Sequence, residues 1–297
     1  MILEVNSVSK SYGRKVVLDD ISFSVPGGEI FGLLGPNGAG KTTAIRIIMD
    51  IISADGGNVR IFGEDFNDSL TDRIGYLPED RGLYRKRKVL STLSYFGQLK
   101  GMDKDKVEHV GGELLEKFGL KDYKEKKIEE LSKGMQQKVQ FIASILHDPE
   151  LMILDEPFAG LDPINAELIK DVILDLKGKG KTIALSTHML ERAEKLCDKI
   201  LLINKGKNVL CGDLSEIKKR HGRNTIILGL RDGNVDLNLP QVESYNAHGN
   251  YAEIKLKKDA DPQELLGELI KSQIKIRKFE IAEPSLNEIF INAVNKD

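Results

Sequence analysis

An α/β fold is the class this sequence predicts: a largely parallel sheet, an antiparallel β-subdomain before it, a helical subdomain inserted in it and a small α+β domain after it. Three observations carry the prediction. The short apolar run Glu29 to Leu34 leads directly into Gly35-Pro36-Asn37-Gly38-Ala39-Gly40-Lys41-Thr42, and apolar residues at helical spacing follow from Thr43 to Ile52. A glycine-rich loop therefore falls at a strand-to-helix turn. Later, Leu151-Met152-Ile153-Leu154 is the nearly continuous apolar run expected of a central parallel strand, and it ends in Asp155-Glu156. Helical and strand patterns then alternate through Pro163, Thr182 to Ser186 and the turn at Lys205-Gly206-Lys207.

The elements follow in order. Ile2 to Val25 alternates β-prone and polar residues about a Tyr12-Gly13-Arg14 turn, which predicts antiparallel strands. After the glycine-rich loop and its helix come a Gly56-Gly57 turn and a strand over Val59 to Phe62. Val89 to Phe118 is helical in pattern, rich in Lys and Glu, with a break near Gly101-Met102-Asp103. With a helix from near Ser132 to about His147 it forms a helical subdomain of about residues 89–145. His147, before Asp148-Pro149, reads as the cap of that helix. A helix from about Pro163, the strand Thr182 to Ser186 and a short helix after His188 complete the larger domain. The polar, basic stretch Lys218-Lys219-Arg220-His221-Gly222-Arg223 marks the boundary, giving domains 1–218 and 224–297. Beyond it lie strands at Thr225 to Leu230 and Tyr251 to Leu256, a helix from Pro262 to Ser272, a strand at Ile274 to Ile281 and a last helix from Pro284 to Val294.

Composition narrows the function classes. A chain of 297 residues, 40% hydrophobic and 30% charged with a net charge of −2, is an ordinary globular protein. It lacks the basic excess of a dedicated nucleic-acid binder, so no nucleic-acid partner is expected. No apolar stretch reaches the roughly 18 to 20 residues that span a bilayer, and Met1-Ile2-Leu3-Glu4 carries no signal-peptide pattern. The two cysteines, Cys197 and Cys211, suit a reducing compartment and are read as small buried hydrophobes. Arg85-Lys86-Arg87-Lys88 is read as a solvated face or loop.

The glycine-rich run fits Gly-x-x-x-x-Gly-Lys-[Ser/Thr], a cradle for nucleotide phosphates. Its glycines let successive N–H groups converge on phosphate oxygens, and a side chain at Gly38 or Gly40 is expected to crowd that approach. Lys41 supplies a mobile charge to the β and γ phosphates, and the Thr42 hydroxyl is placed for Mg²⁺, a hard cation that prefers oxygen. Gly35, Pro36, Asn37, Gly38, Ala39, Gly40, Lys41, Thr42 and the following Thr43 are the predicted nucleotide-binding set. Asp155 and Glu156 stand at the carboxyl end of a buried strand, where open α/β sheets bind ligands. Asp155 there holds Mg²⁺ through water. Glu156 accepts a proton from, or orients, the water that attacks the γ-phosphate.

With these two motifs the chain resembles the nucleotide-binding subunit of an ABC transporter, over roughly its first two-thirds. Further segments fit in the family's order. Leu131-Ser132-Lys133-Gly134-Met135 stands where the family has Leu-Ser-Gly-Gly-Gln, Ala159-Gly160-Leu161-Asp162 resembles the loop after the catalytic Glu, and Ser186-Thr187-His188 resembles the switch-histidine strand end. The resemblance implies an ABC-type P-loop NTPase fold and ATP hydrolysis with Mg²⁺. It makes Tyr12 the aromatic stacked on adenine and His188 the γ-phosphate sensor. It also implies that Ser132 and Gly134 reach the γ-phosphate of ATP held by a second subunit, so a homodimer, or a heterodimer with a related ATPase, sandwiches two ATP. The implied partner is a separate polytopic membrane permease, with the ATPase on the cytoplasmic face of the membrane.

Two departures from the family pattern stand out. In Ile74-Gly75-Tyr76-Leu77-Pro78-Glu79-Asp80, the segment aligned with the loop that usually carries glutamine, Glu79 takes the glutamine's place and adds a carboxylate able to ligate Mg²⁺. Lys133 and Met135 replace a glycine and the glutamine of the signature; Lys133 either adds charge toward the trans phosphate or points to solvent. The wording of these segments is similar to ATPases of bacterial and archaeal exporters, and the ending Glu283-Pro284-Ser285-Leu286-Asn287-Glu288-Ile289-Phe290 resembles the close of such chains. Their small β-rich tail domain is read as a regulatory or dimer-supporting module, or as a structural cap. A soluble ABC-type ATPase acting on nucleic acid or ribosomes lacks support, since the chain has one set of motifs and no sustained heptads. A non-hydrolysing regulatory binder is at odds with the presence of Glu156.

Overall fold

The computed structural model describes every residue except 81, 221–224, 232–236, 258–259, 283 and 295–297, and the side chain of His248. Parts of the basic stretch at 221–223 and the predicted motif residue Glu283 therefore lie outside the described residues. The chain divides into two units, Met1–Asp213 and Leu214–Asp297.

In the first unit, β1 (Leu3–Tyr12) and β2 (Lys15–Val25) form the expected antiparallel hairpin, in which Gly13 takes a φ of +62° at the turn. With β4 (Gly56–Ile61) and β5 (Glu64–Asp65) they make a sheet of order β2-β1-β4-β5. The second sheet holds β3 (Ile30–Leu34), β6 (Ile74–Leu77), β7 (Leu151–Asp155), β8 (Thr182–Thr187), β9 (Lys199–Asn204) and β10 (Lys207–Asp213) in the order β10-β9-β3-β8-β7-β6. Only the β9–β10 pair is antiparallel. Strands β3, β7 and β8 are buried at every residue, which is why β3 and Leu151 to Leu154 of β7 are continuous apolar runs, while β8 also buries Thr182, Ser186 and Thr187. A core of Val5, Ile21, Phe31, Leu33, Ile45 and Ile153 packs the two sheets together around α1 (Lys41–Ile48).

The segment predicted as a loop from Ile74 is a strand up to Leu77; the loop proper begins at Pro78. Gly75 breaks the apolar pattern there because a Cβ at that position would sit 2.2 Å from the Ser144 carbonyl oxygen.

Helices α2 (Val89–Leu99) and α3 (Lys104–Lys117) flank the predicted break and cross so closely that a Cβ on Gly97 would lie 2.5 Å from Val107 Cγ2. Helix α4 (Lys133–Ile145) is capped by Ser132, whose hydroxyl accepts from the Met135 N–H at 3.3 Å. Its C-cap is Leu146, and His147 instead places Nε2 3.1 Å from the Ile74 carbonyl, so it ties the end of the helical subdomain to β6 and is not the helix cap. Residues Arg85 to Lys88 are exposed, with Lys88 paired to Glu125 and the Arg87 guanidinium over Tyr84 and Tyr95. Helix α5 (Pro163–Gly178) starts with Pro at N1 and an Asp162 cap that accepts from the Asn165 N–H at 2.9 Å; the short α6 (Leu190–Glu194) follows β8. Cys197 is buried as expected, whereas Cys211 is exposed because β10 is the edge of its sheet.

The second unit opens on α7 (Leu214–Arg220). It contains β11 (Thr225–Leu230), β12 (Val242–His248), β13 (Tyr251–Leu256), α8 (Pro262–Lys271), β14 (Ile276–Ala282) and α9 (Leu286–Val294). The antiparallel sheet order is β12-β13-β11-β14, and Ile226, Leu228, Ile254, Leu265 and Leu269 form its core. Strand β12 has no counterpart in the sequence prediction. Among the described residues no helix is long and apolar enough to cross a membrane.

Candidate active site

The glycine-rich loop joins the end of β3 to α1, which begins at Lys41, two residues earlier than predicted. The loop closes through an Ala39 N–H to Pro36 carbonyl bond of 3.2 Å. It borders a cavity of about 540 Å³ lined by Asn37, Gly38, Gly40, Lys41, Thr42 and Thr43, and by Glu79, Glu156 and His188 from other segments. The predicted crowding holds differently at its two glycines. A Cβ at Gly40 would meet the protein itself, at 2.6 Å from Leu18 Cδ2 and 2.9 Å from the Val17 carbonyl, whereas a Cβ at Gly38 meets no atom within 4 Å. Both glycines line the cavity, but only at Gly38 of the two would a side chain enter open space.

Lys41 is 6% exposed and donates to the carbonyls of Gly35 (2.8 Å) and Pro36 (3.3 Å), with Glu156 Oε1 at 3.4 Å. The same Glu156 oxygen lies 3.0 Å from His188 Nδ1. Glu156 follows directly on β7 with a φ of +48°, a left-handed conformation that costs about 1–3 kcal/mol for a residue other than glycine. Its backbone N–H is fixed by Ser186, at 3.0 Å from the hydroxyl and 3.2 Å from the carbonyl.

Asp155 is fully buried beside Glu156. Burial pushes its pKa upward, opposed by the hydrogen bond from Ser186 and by the nearby Thr42 hydroxyl, and the Glu79 and Glu156 charges push the same way as burial. The Ser186 hydroxyl donates to Oδ1, while Oδ2 is buried without a hydrogen-bond partner in the described structure. Thr42 Oγ1 donates to Glu79 Oε2 at 3.2 Å. Thr42 and Glu79 thus meet at one corner of the cavity, and Asp155 lies buried close behind them without lining it. No group of three or more His, Cys, Asp and Glu among the described residues forms a metal site alone. A cation at this corner would need further oxygens from a ligand, as Mg²⁺ does on nucleotide phosphates, and the orphaned Asp155 Oδ2 fits such an ion.

The other predicted residues lie apart from this group. Tyr12 is 53% exposed at the β1–β2 turn and does not line the cavity, although its register partner Lys15 does. Ser132 is exposed, and neither it nor Gly134 lines the cavity; a Cβ on Gly134 would touch Leu161 at 3.6 Å.

Sequence reasoning did not assign Ser186, which holds both acids. Its signal is the parallel register that sets Asp155 opposite Ser186, information invisible within either strand. Lys15 and Lys205, two cations lining the cavity, were also missed.

The sheet order, with a phosphate loop leaving its β3 strand and acids closing β7, defines a P-loop NTPase. The chain belongs to the ABC transporter ATP-binding proteins: the ABC transporter family pattern matches residues 18–159, and that of the ATP-binding protein DrrA1-3-like C-terminal domain matches residues 212–294. It is 41% identical to the uncharacterized ABC transporter ATP-binding protein YhaQ of Bacillus subtilis, over 99% of this chain and 98% of that protein. It is 32% identical to the linearmycin resistance ATP-binding protein LnrL of Bacillus subtilis, over 99% of each. A solved ATP-binding subunit of an ABC transporter superposes with a TM-score of 0.69 at 33% identity, over 74% of this chain and 93% of that one. The protein is therefore an ATPase of the family that hydrolyses ATP to power transport, whose ATP-binding subunits work with separate membrane permease components.

Proposed function

We propose that two copies of this chain, or one copy and a related ATPase, trap two MgATP between them and energise a separate permease that exports its substrate. The observation that carries this reading is the separation of the two anion-binding elements. Lys41, Thr42, Glu156 and His188 line one cavity, while Ser132, at the N-terminus of α4, and Gly134 are outside it. A second chain supplying its Ser132 and Gly134 completes the pocket.

In this reading the loop N–H groups and Lys41 bind the β and γ phosphates, whose oxygens draw Lys41 from the Gly35 and Pro36 carbonyls. Thr42, Asp155 and Glu79 would hold Mg²⁺ together with phosphate oxygens, and the ion would supply positive charge beside the phosphoryl group being transferred. Glu156 takes a proton from, or orients, the attacking water, and His188, at 3.0 Å, orients Glu156 and senses the γ-phosphate. Tyr12 stacks on adenine. Loss of the γ-phosphate removes contacts made only in the closed pair, so hydrolysis shifts the open–closed equilibrium. The unit Met1–Asp213 serves as the ATPase and Leu214–Asp297, which opens on α7, as an accessory domain.

Export is supported by the likeness to the linearmycin resistance protein and by the DrrA-like C-terminal domain. Docking on a permease places the chain on the cytoplasmic face of the membrane. The test is sedimentation of the Glu156→Gln variant with ATP. A dimer with Mg²⁺ that dissociates in EDTA is expected, and a monomer at high concentration with MgATP refutes the reading.

A further inference from the structure

Gln140, in the second turn of α4 after Gly134, is 5% exposed and serves no part of the site described above. Its side-chain amide donates to the carbonyl of Pro78 at 3.2 Å and to that of Asp80 at 3.0 Å. The two acceptors flank Glu79, so one buried amide grips the loop on both sides of the residue whose carboxylate meets Thr42. The grip has a structural cost. Both partners are acceptors, so the amide must turn its nitrogen to them, and Oε1 is left buried without a partner among the described residues. An apolar side chain of the same length would avoid that orphan. The amide is explained by the loop it holds.

Helix α4 also carries Ser132 at its cap, about two turns from Gln140. A helix moves as a rigid rod over that span, so displacement at its N-terminus reaches Pro78 and Asp80 through Gln140. On the opposite side of the loop, Asp80 is tied to Arg46 of α1 only by an exposed ion pair at 3.5 Å. The buried amide is the firmer of the two ties.

We propose that Gln140 is a positioning residue that fixes Glu79 at the metal corner and couples the position of α4 to Mg²⁺ binding there. The inference rests on the proposed role of Glu79 as a metal ligand. Its test is a double-mutant cycle on the full chain with Gln140→Met, Glu79→Ala and both together. The readout is the affinity for the non-hydrolysable analogue AMP-PNP by calorimetry, in EDTA and in Mg²⁺. Gln140→Met is expected to leave affinity in EDTA within about twofold of wild type, and to lower the gain on adding Mg²⁺ by roughly three- to tenfold, the weight of a lost hydrogen bond. In the Glu79→Ala background it changes that gain by less than about twofold. If Glu79→Ala alone leaves the gain intact, the metal role of Glu79 falls and the inference with it. If Glu79→Ala lowers the gain and Gln140→Met does not, or if their effects multiply, the inference alone is overturned. Thermal melting in EDTA monitors folding, and Gln140→Leu repeats the cycle should the methionine variant be unstable.

Discussion

Two glycines of one loop carry different loads, and alanine at each separates fold from phosphate binding. At Gly40 the backbone φ is +110°, and a Cβ would lie 2.6 Å from Leu18 Cδ2 and 2.9 Å from the Val17 carbonyl. Leu18 can rotate; the carbonyl belongs to strand β2 and cannot. Gly40→Ala therefore combines backbone strain of about 1–3 kcal/mol with overpacking of a similar size. A loss of about 3–4 kcal/mol is expected, a large share of the roughly 5–15 kcal/mol that holds a domain folded. At Gly38 the φ is +79° but a Cβ meets nothing within 4 Å. Only the left-handed backbone penalises Gly38→Ala, by about 1–2 kcal/mol. Gly38 lines the cavity, however, so the added methyl is expected to weaken ATP binding at least roughly tenfold, about 1.4 kcal/mol. Urea unfolding in EDTA measures the first quantity and calorimetric ATP titration the second. Equal destabilisation by the two variants, or wild-type ATP affinity in Gly38→Ala, would refute the assignment of distinct roles.

Three further outcomes follow from the site. Glu156→Gln keeps the shape of the side chain but not its charge, and should lower kcat by about 10²–10⁴-fold with ATP affinity unchanged; steady-state turnover near wild type contradicts its role. Burial raises the pKa of Asp155 above its ordinary 3.8, so the folded state holds that proton more tightly and the stability associated with it falls as pH rises through the raised value. Asp155→Asn should therefore raise the urea midpoint at pH 7 in EDTA while abolishing hydrolysis; a lower midpoint means that the charge is stabilising. Burial also pushes the Cys197 thiol far up, so a maleimide should label exposed Cys211 in the native protein and reach Cys197 only after unfolding. Mass spectrometry of labelled peptides reads the difference.

The parts of the fold that were legible are those whose signal is local. The phosphate loop and the acid-tipped strand declare themselves in consecutive residues, and strand β13 was placed at its observed ends because burial alternates through Tyr251–Leu256. Strand β12 was missed because it lies at a sheet edge and has few buried positions to pattern. Strand β6 was obscured by Gly75, a residue demanded by the approach of the Ser144 carbonyl and not by the strand itself. In the site, sequence supplied Lys41, Thr42, Asp155 and Glu156 but not Ser186, whose place follows from pairing between β7 and β8. Gln140 was hidden for the same reason: its partners lie some sixty positions away along the chain. His147 was misread because a histidine at a helix end suits a cap, whereas its actual acceptor, the Ile74 carbonyl, belongs to another element.

The turn between β9 and β10 looks like an ordinary hairpin tip, yet the Gly206 N–H donates to the Ala39 carbonyl at 3.0 Å and the Gly206 carbonyl accepts from Asp19 at 2.8 Å. A Cβ on Gly206 would strike the Val17 carbonyl at 2.4 Å. Hairpin tips are customary places to graft a tag or open a chain for permutation, because little depends on them. This one wedges strand β2 against the nucleotide cradle, so lengthening it by even one residue would deform the cradle from behind.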